Sequence, residues 1–226
     1  EKKASFKNER CIRCGHCLAV CPVGAIEMPG LMEQVQEITE RATLDPGQFH
    51  EVIRQRRTIR QYKEAPIPEA VLQDILEVGR ITHSGRNRQG LTFVVLQARI
   101  AEAETLGVEY FRFIKKMGSP FSAYLKWKQI PDDFFFRGAP LAIVVLGEHE
   151  TDAIYAAANM ETMAEAHGLG VMVSTFFTMA MNQSPKLKKA FEVPKGKKAY
   201  TTLVMGIPNV HYRRTVPRNP LDVKYY

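Results

Sequence analysis

Hydrophobic positions along the chain recur with two periods, and they mark out alternating helices and strands. From Pro68 to Val78, a proline opens a run in which Val71, Leu72, Ile75 and Leu76 fall at helical spacing, which predicts a helix. Gln48 to Arg57 reads as a helix too, with Phe49, Val52 and Ile53 on one face. Ala101 to Lys116 has the same character. Asp152 to His167 is a long small-residue helix whose Ala156, Ala157 and Ala158 allow close packing; Thr151 or Asp152 caps it and Gly168 ends it. Three short apolar runs predict strands: Leu91 to Gln97, Leu141 to Leu146 and Tyr200 to Met205. The continuous FVVL of the first predicts burial on both faces. His83 to Gly90 is a loop by composition, and Ser119 to Arg137 is aromatic-rich and irregular. The segment from Pro208 onward, with Pro217 and Pro220, should be extended and wrap over another surface. The expected class is a helix-and-sheet domain, α+β or α/β.

Composition supports this reading. The chain has 226 residues, 45% of them hydrophobic and 24% charged, which excludes disordered, collagenous and coiled-coil proteins. The longest apolar runs, such as Leu141 to Gly147, are too short to cross a bilayer, so no membrane association is expected and the expected compartment is the cytoplasm. Residues 1–30 form a small cysteine module, 31–48 a polar linker and 49–226 the main domain. The chain begins Glu1-Lys2-Lys3 without an initiator Met, and the expectation is that a further piece lies upstream.

The net charge is +7, with a pI near 9.2. Arg54, Arg56, Arg57 and Arg60 cluster in one stretch, and Arg213, Arg214 and Arg218 in another. Neither is interleaved with stacking aromatics, and no zinc-finger, RRM or basic-zipper pattern is present, so no nucleic-acid partner is expected. Two small arginine groups suit one or two phosphates better than a duplex backbone.

All four cysteines lie in one run, Cys11-Ile-Arg-Cys14-Gly-His-Cys17-Leu-Ala-Val-Cys21-Pro22. Such clustering excludes a disulfide framework. The spacing C-x2-C-x2-C-x3-C-P is that of a [4Fe–4S] ferredoxin run, in which a tight loop turns thiolates towards one cubane and Gly15 relieves the turn. Zinc competes for CxxC pairs, but four cysteines this close, followed by proline, favour iron. The fourth cysteine of such a run serves the other cluster in two-cluster ferredoxins. Three readings stay open: Cys21 folds back as fourth ligand, a second run lies upstream, or this module holds no cluster.

Arg56, Arg57, Thr58 and Arg60 supply, within five residues, the guanidinium and hydroxyl donors that a terminal phosphate dianion needs. Alone, the signal is weak, and a solvated basic helix end is the commoner source of such a pattern. It is accompanied by THSGRNRQG at 82–90, GAPLAIVV at 138–145, DAIYAAANMETMAEAHGLG at 152–170, VSTFF at 173–177 and MGIPNVHYRRTVPRNP at 205–220. With RRTIRQY at 56–62, these resemble, in order and spacing over about residues 49–220, the nitroreductase family of FMN-dependent flavoproteins. The cysteine run ahead of them is similar to the family's subgroup in which [4Fe–4S] clusters precede the flavin domain.

The resemblance implies an α+β sandwich, a mostly antiparallel sheet wrapped by helices, and a homodimer with FMN at its interface. It implies that Arg56, Arg57, Thr58 and Arg60 hold the phosphate and ribityl chain, with Arg214, or its neighbour Arg213, completing the phosphate site. It places Ser84, Gly85 and Asn87 against the flavin from the partner subunit, Gln89 close by, and Ser174, Thr175 and Phe176 beside the ring near N5. The chain departs from the family pattern at His83 and Gly90, where proline is usual, and at Thr175, where glycine is common. Cys11, Cys14, Cys17 and Cys21 are the implied cluster ligands. The implied activity carries electrons from an iron–sulfur centre, ferredoxin or NAD(P)H through FMN to a small acceptor such as a nitroaromatic or quinone; a non-catalytic electron-transfer protein is the alternative. No side chain is assigned as a catalytic acid or base.

Other residues carry weaker signals. His16 reads as a polar surface residue, since the thiolates complete the pattern. His83 divides evenly between a ring contact and plain loop polarity. His149-Glu150 lacks the second histidine of HExxH, and His167 reads as a cation at a helix C-terminus. Met160 and Met163 read as core. The aromatics Tyr110 to Phe136 belong either to a roof over the substrate site or to a subdomain packing on a partner.

Overall fold

The computed structural model describes residues 10–28, 30, 33–118 and 129–226. Four strands form one antiparallel sheet: β1 (Thr92–Leu96), β2 (Leu141–Gly147), β3 (Gly170–Val173) and β4 (Lys198–Gly206), in spatial order β1-β2-β4-β3. Its helices are α1 (His16–Val20), α2 (Pro46–Gln55), α3 (Glu69–Ile81), α4 (Ile100–Gly118), α5 (Glu150–Ala166), α6 (Thr175–Gln183) and α7 (Pro185–Ala190).

Strand periodicity builds a three-layer sandwich. In β2, Leu141, Ile143 and Val145 point to one face, where they meet Leu72 and Ile75 of α3 and Ala153, Ala157, Met160 and Ala164 of α5. Ala142, Val144 and Leu146 point to the other face, against Val108 and Phe111 of α4 and Phe177 of α6. Because β2 is central and buried on both faces, its residues read as a continuous apolar run. The expectation of two-face burial fails for β1: it is an edge strand with Val95 exposed.

Local chemistry sets most element ends. Asp45 accepts the Gln48 N–H at 2.6 Å and Pro46 occupies the first turn, so α2 starts inside the predicted linker. Helix α3 runs three residues beyond the predicted Val78. Gly168, at φ +73°, ends α5 with Leu169 N–H returning to Ala164 O at 2.9 Å. Neither Thr151 nor Asp152 caps α5; its N-cap is His149, without a side-chain bond. The sequence reading did not identify α1, β3, α6 and α7. In VMVSTFF a four-residue strand passes directly into a helix, so neither period repeats long enough to register.

Phe134, Phe135 and Phe136 lie inside the core. Glu104 of α4 accepts the N–H groups of Phe135 and Phe136, each at 2.8 Å. Phe121, Tyr124 and Trp127 are outside the described residues. Met160 is fully buried and Met163 packs against the core. The chain from Pro208 onward is extended, as expected, and largely exposed. In contrast, the apolar face of α2 is uncovered, with Phe49 40%, Val52 40% and Ile53 48% exposed.

One glycine contact bears on the site. Gly170 of β3 pairs with Gly206 of β4. A Cβ at Gly170 would lie 2.7 Å from Ile59 Cβ, and one at Gly206 would lie 2.7 Å from Tyr62 Cδ1. The paired glycines let residues 59–62 lie flush on the sheet edge. Gly170→Ala should therefore lower stability by about 1–3 kcal/mol, read from urea unfolding, with the cost falling on the 56–62 segment.

Candidate functional site

The arginine segment leaves α2 at its C-cap residue, Arg56, whose N–H bonds Val52 O at 2.9 Å. Ile59 N–H then donates to Val171 O at 3.1 Å, extending the edge of the sheet at β3. Tyr62 donates its hydroxyl to Ile59 O at 2.8 Å; burial pushes its phenol up, so it remains a donor. β3 leads into Ser174, Thr175 and Phe176. Ser174 is buried, its N–H bonded to Thr202 O at 2.9 Å, while Thr175 and Phe176 are exposed. The structure thus brings Arg57, Thr58 and Arg60 to the same sheet edge as Ser174–Phe176.

The C-terminal arginines reach this edge by a separate device. Tyr62 and Pro208 form an isolated antiparallel bridge, flanked by Lys63 N–H to Ile207 O and Asn209 N–H to Gln61 O, each at 2.9 Å. Arg213 and Arg214 follow within five residues of Asn209, both exposed. Around the segment, exposed Val173 and Phe176 offer an apolar face, with the Phe176 ring 5.9 Å from Phe111 and 5.6 Å from Phe134. Open cations beside an apolar face are the chemistry that a phosphate-bearing aromatic cofactor requires.

Arg56 behaves differently from its neighbours. Its Nη1 lies 2.8 Å from Glu161 Oε1 of α5, both side chains being partly buried. The sequence reading grouped Arg56 with the phosphate ligands and did not see Glu161, which is 105 positions away. Glu165 stands one turn further on. Its Oε1 is buried without a hydrogen-bond partner among the described residues. Burial pushes its carboxyl up to about 7, with Arg56 opposing and Glu161 adding to the rise.

The second predicted group, Ser84, Gly85, Asn87 and Gln89, lies on the opposite flank of α5. Asp152 Oδ1 accepts the Gly85 N–H at 2.9 Å, and Oδ2 lies 3.6 Å from Arg88 Nη1. Asn159 donates to Thr82 Oγ1 at 2.8 Å, and Ser84 Oγ accepts the Gln89 N–H at 2.9 Å. Gly85–Asn87 form a short 3-10 turn, with Arg86, Asn87 and Gln89 at positive φ. The His83 ring lies 4.9 Å from that of Tyr155, so the histidine is engaged on α5. His167, read as a C-terminal cation, contacts Asp74 at 3.1 Å.

Asp152 and Glu161 are nine residues apart on α5. At 3.6 residues per turn and 1.5 Å per residue, they project half a turn apart and are separated by about 14 Å along the axis. The two predicted groups are therefore held apart within one chain.

In the cysteine loop, Cys11, Cys14, Cys17 and Cys21 are all free thiols, exposed or half-exposed. Arg13 N–H approaches Cys11 Sγ at 3.4 Å and Ala25 N–H approaches Cys21 Sγ at 3.3 Å. Backbone N–H groups of Val23, Ala25, Gly24 and Ile26 draw the Cys21 thiol below its ordinary value. Thiols met by backbone donors fit an iron–sulfur cluster in type. Among the described residues no three such side chains converge as a metal site, so the four thiols are not gathered in the ligand-free chain.

This sheet order, with α3 and α5 on one face and α4 and α6 on the other, defines an α+β sandwich. The nitroreductase family model matches residues 53–207, most of the chain, and the chain belongs to that family. A 4Fe-4S binding domain model matches residues 4–27. The putative NAD(P)H nitroreductase YfhC of Bacillus subtilis (strain 168) is 28% identical over 85 residues, 38% of this chain and 41% of that protein, so the match spans less than half of this relative. An FMN-dependent nitroreductase from Clostridium difficile R20291 superposes with a TM-score of 0.66 at 16% identity, over 80% of this chain and 100% of the other. A nitroreductase with bound FMN from Desulfitobacterium hafniense DCB-2 gives 0.62 at 21% identity, over 77% and 97%. These structures share the fold.

The Arg56–Glu161–Glu165 cluster has a pH signature. A carboxyl that is raised on folding binds its proton more tightly in the native state. Its stabilising contribution is full below its ordinary value of 4.5 and is lost as pH rises through about 7. Urea midpoints of the wild-type chain should fall between about pH 5 and about pH 8, and Glu165→Gln should flatten that slope.

Proposed function

We propose that the chain is an FMN-dependent oxidoreductase, working as a homodimer, that passes electrons from an iron–sulfur centre or NAD(P)H to a small organic acceptor such as a nitroaromatic or quinone. The observation that carries this reading is the single sheet edge. There Ile59, between Thr58 and Arg60, bonds Val171 of the strand that runs into Ser174–Phe176, and Tyr62 bridges Pro208 on the extended segment that leads to Arg214. Family membership and the FMN-bound neighbours support the cofactor.

FMN, when bound, supplies a two-electron store that exchanges hydride or single electrons. Arg57, Arg60 and Arg214 would neutralise its phosphate, and the Thr58 hydroxyl would donate to the phosphate or ribityl chain. Arg56 would contribute at the same end while tied to Glu161. The backbone at Ser174 and Thr175 would donate beside the ring. Phe176 would exclude water from one side of it. From the other chain of the dimer, Ser84, Gly85, Asn87 and Gln89 would close the site. Cys11, Cys14, Cys17 and Cys21 would hold a [4Fe–4S] cluster, with the backbone donors at Arg13 and Ala25 supporting thiolates.

The test is direct. Purified protein reconstituted with FMN, iron and sulfide should bind one flavin per chain and reduce a quinone or nitroaromatic faster than free FMN does. A charge-assisted contact is worth about 1.5–3 kcal/mol, so Arg57→Ala and Arg60→Ala should each weaken FMN binding by about 10–100-fold in fluorescence titrations. Protein that binds no FMN sinks the proposal. Flavin bound without turnover leaves the electron-transfer protein as the reading.

A further inference from the structure

Helix α7 packs back along α4 and leaves a groove between them. Arg99, just before α4, donates Nη1 to Ala190 O at 3.1 Å, and Tyr110 donates its hydroxyl to Gln183 Oε1 at 3.0 Å. Leu187 and Phe191 anchor the short helix in the core. On the outer side, Leu106, Tyr110 and Phe113 of α4 face Pro185 across a groove of about 320 Å³, which Glu109 and Lys186 also line. Positions 106, 110 and 113 share one helix face, so the apolar wall is continuous. Phe113 is 60% exposed. The arginine edge contributes no lining residue, so this surface is separate from the candidate flavin site. Packing connects the two: the Tyr110 ring lies 6.2 Å from that of Phe111, and Phe111 lies 5.9 Å from Phe176.

The margin of the groove is basic. Residues 184–198 hold six lysines and one glutamate. Lys116 stands one turn beyond Phe113 on α4, and Lys189 one turn beyond Lys186 on α7. Among the described residues, Lys116, Lys188 and Lys189 have no ion pair. Lys186 meets Glu109 at 3.4 Å, but both side chains are mostly exposed, which makes the pair weak. Glu102, two turns before Glu109, is already held by Arg99 at 2.7 Å.

We propose that this groove docks an acidic partner protein. An apolar side chain of that protein sits between Phe113 and Pro185, and its flanking carboxylates meet Lys116, Lys186 and Lys189. The chemistry of the groove selects this occupant. An apolar centre with charges at the margin is the anatomy of a protein interface. A nucleic acid needs a continuous line of cations, and Glu109 interrupts it. A membrane surface takes an apolar face that protrudes, whereas this one is concave. A second copy seated face to face would set these lysines against themselves.

The probe is a fluorescent peptide, Leu-Phe with three glutamates on each side, titrated against the full chain by anisotropy at low salt. It should bind, and binding should weaken at least about threefold between about 50 and about 300 mM salt. Phe113→Ala should weaken it at least about tenfold, and Lys186→Glu at least about fivefold. Glu109→Gln removes the carboxylate from the groove and should tighten binding about two- to fivefold. All three side chains are exposed, so the variants keep the fold, which circular dichroism verifies. Absence of binding overturns the proposal, as does equal binding of a peptide with lysines in place of the glutamates. Unchanged affinity in Phe113→Ala and Lys186→Glu overturns it too. Binding of a twelve-nucleotide oligothymidylate or of phosphatidylserine vesicles that Phe113→Ala weakens to the same degree assigns the groove to nucleic acid or lipid instead. A shift from dimer to monomer in sedimentation of Phe113→Ala assigns it to a second copy, and either result overturns the acidic partner.

Discussion

Four alanines set how close α5 lies to the sheet, and the irregular parts of the site hang from that helix. Ala153, Ala156, Ala157 and Ala164 occupy its buried face, where larger side chains would hold it away from β2 and β4. Met160 fills the remaining space, and a Cβ at Gly79 of α3 would fall 2.7 Å from its sulfur. A helix seated this closely has few rotational options, so its two flanks point in fixed directions. On one flank Asp152 and Asn159 hold the Thr82–Gly90 loop; on the other Glu161 holds Arg56. Asp152 accepts a backbone N–H, that of Gly85, while Asn159 donates to the Thr82 hydroxyl and Glu161 accepts from the Arg56 guanidinium. Asp152 is itself nearly buried, and its carboxylate is acceptable there because Gly85 N–H and Arg88 face it.

Much of this was legible in the sequence, and the parts that were not share a cause. Periodicity marked α3, α4 and α5 and the two central strands, because each is long enough to repeat its pattern. β3 escaped because four residues between a glycine and a helix make no pattern. α7 had a readable signal in Ser184-Pro185, where the serine accepts Leu187 N–H at 3.3 Å, but the helix is only one and a half turns long. The larger misreadings concern partners distant in sequence. Asp152 near a helix start reads as a cap, yet it serves a loop 67 positions away. Arg56 reads as one more phosphate cation, yet a carboxylate 105 positions on engages it. Local pattern says which residues are polar and what conformation they adopt; it does not say which polar group meets which.

The same limit applies to the cysteine run. Its spacing gives donor type and number with high specificity, and the thiols are all free. It does not say where the loop docks. That is decided by one backbone carbonyl, at Arg13, which any residue type would present. The side chain that meets it, Asn87, is polar for reasons that composition assigns to a loop.

A single chain leaves several apolar surfaces uncovered: Phe49, Val52 and Ile53 on α2, Ile154 and Tyr155 on the outer side of α5, and Tyr212 and Val216 on the extended C-terminal segment. Isolated exposed apolar residues need no explanation, but these recur on the elements that border the arginine edge and the loop. Burying them against a second copy would stabilise the pair by roughly 25 cal/mol per Å² of apolar area removed from water. The proposed dimer would also bring the two flanks of α5 from different chains to one ligand. Assembly and cofactor retention would then be one equilibrium, since an arginine edge without its facing loop leaves the ring open to water. Flavin binding would stabilise the dimer by mass action, and dilution would release both together.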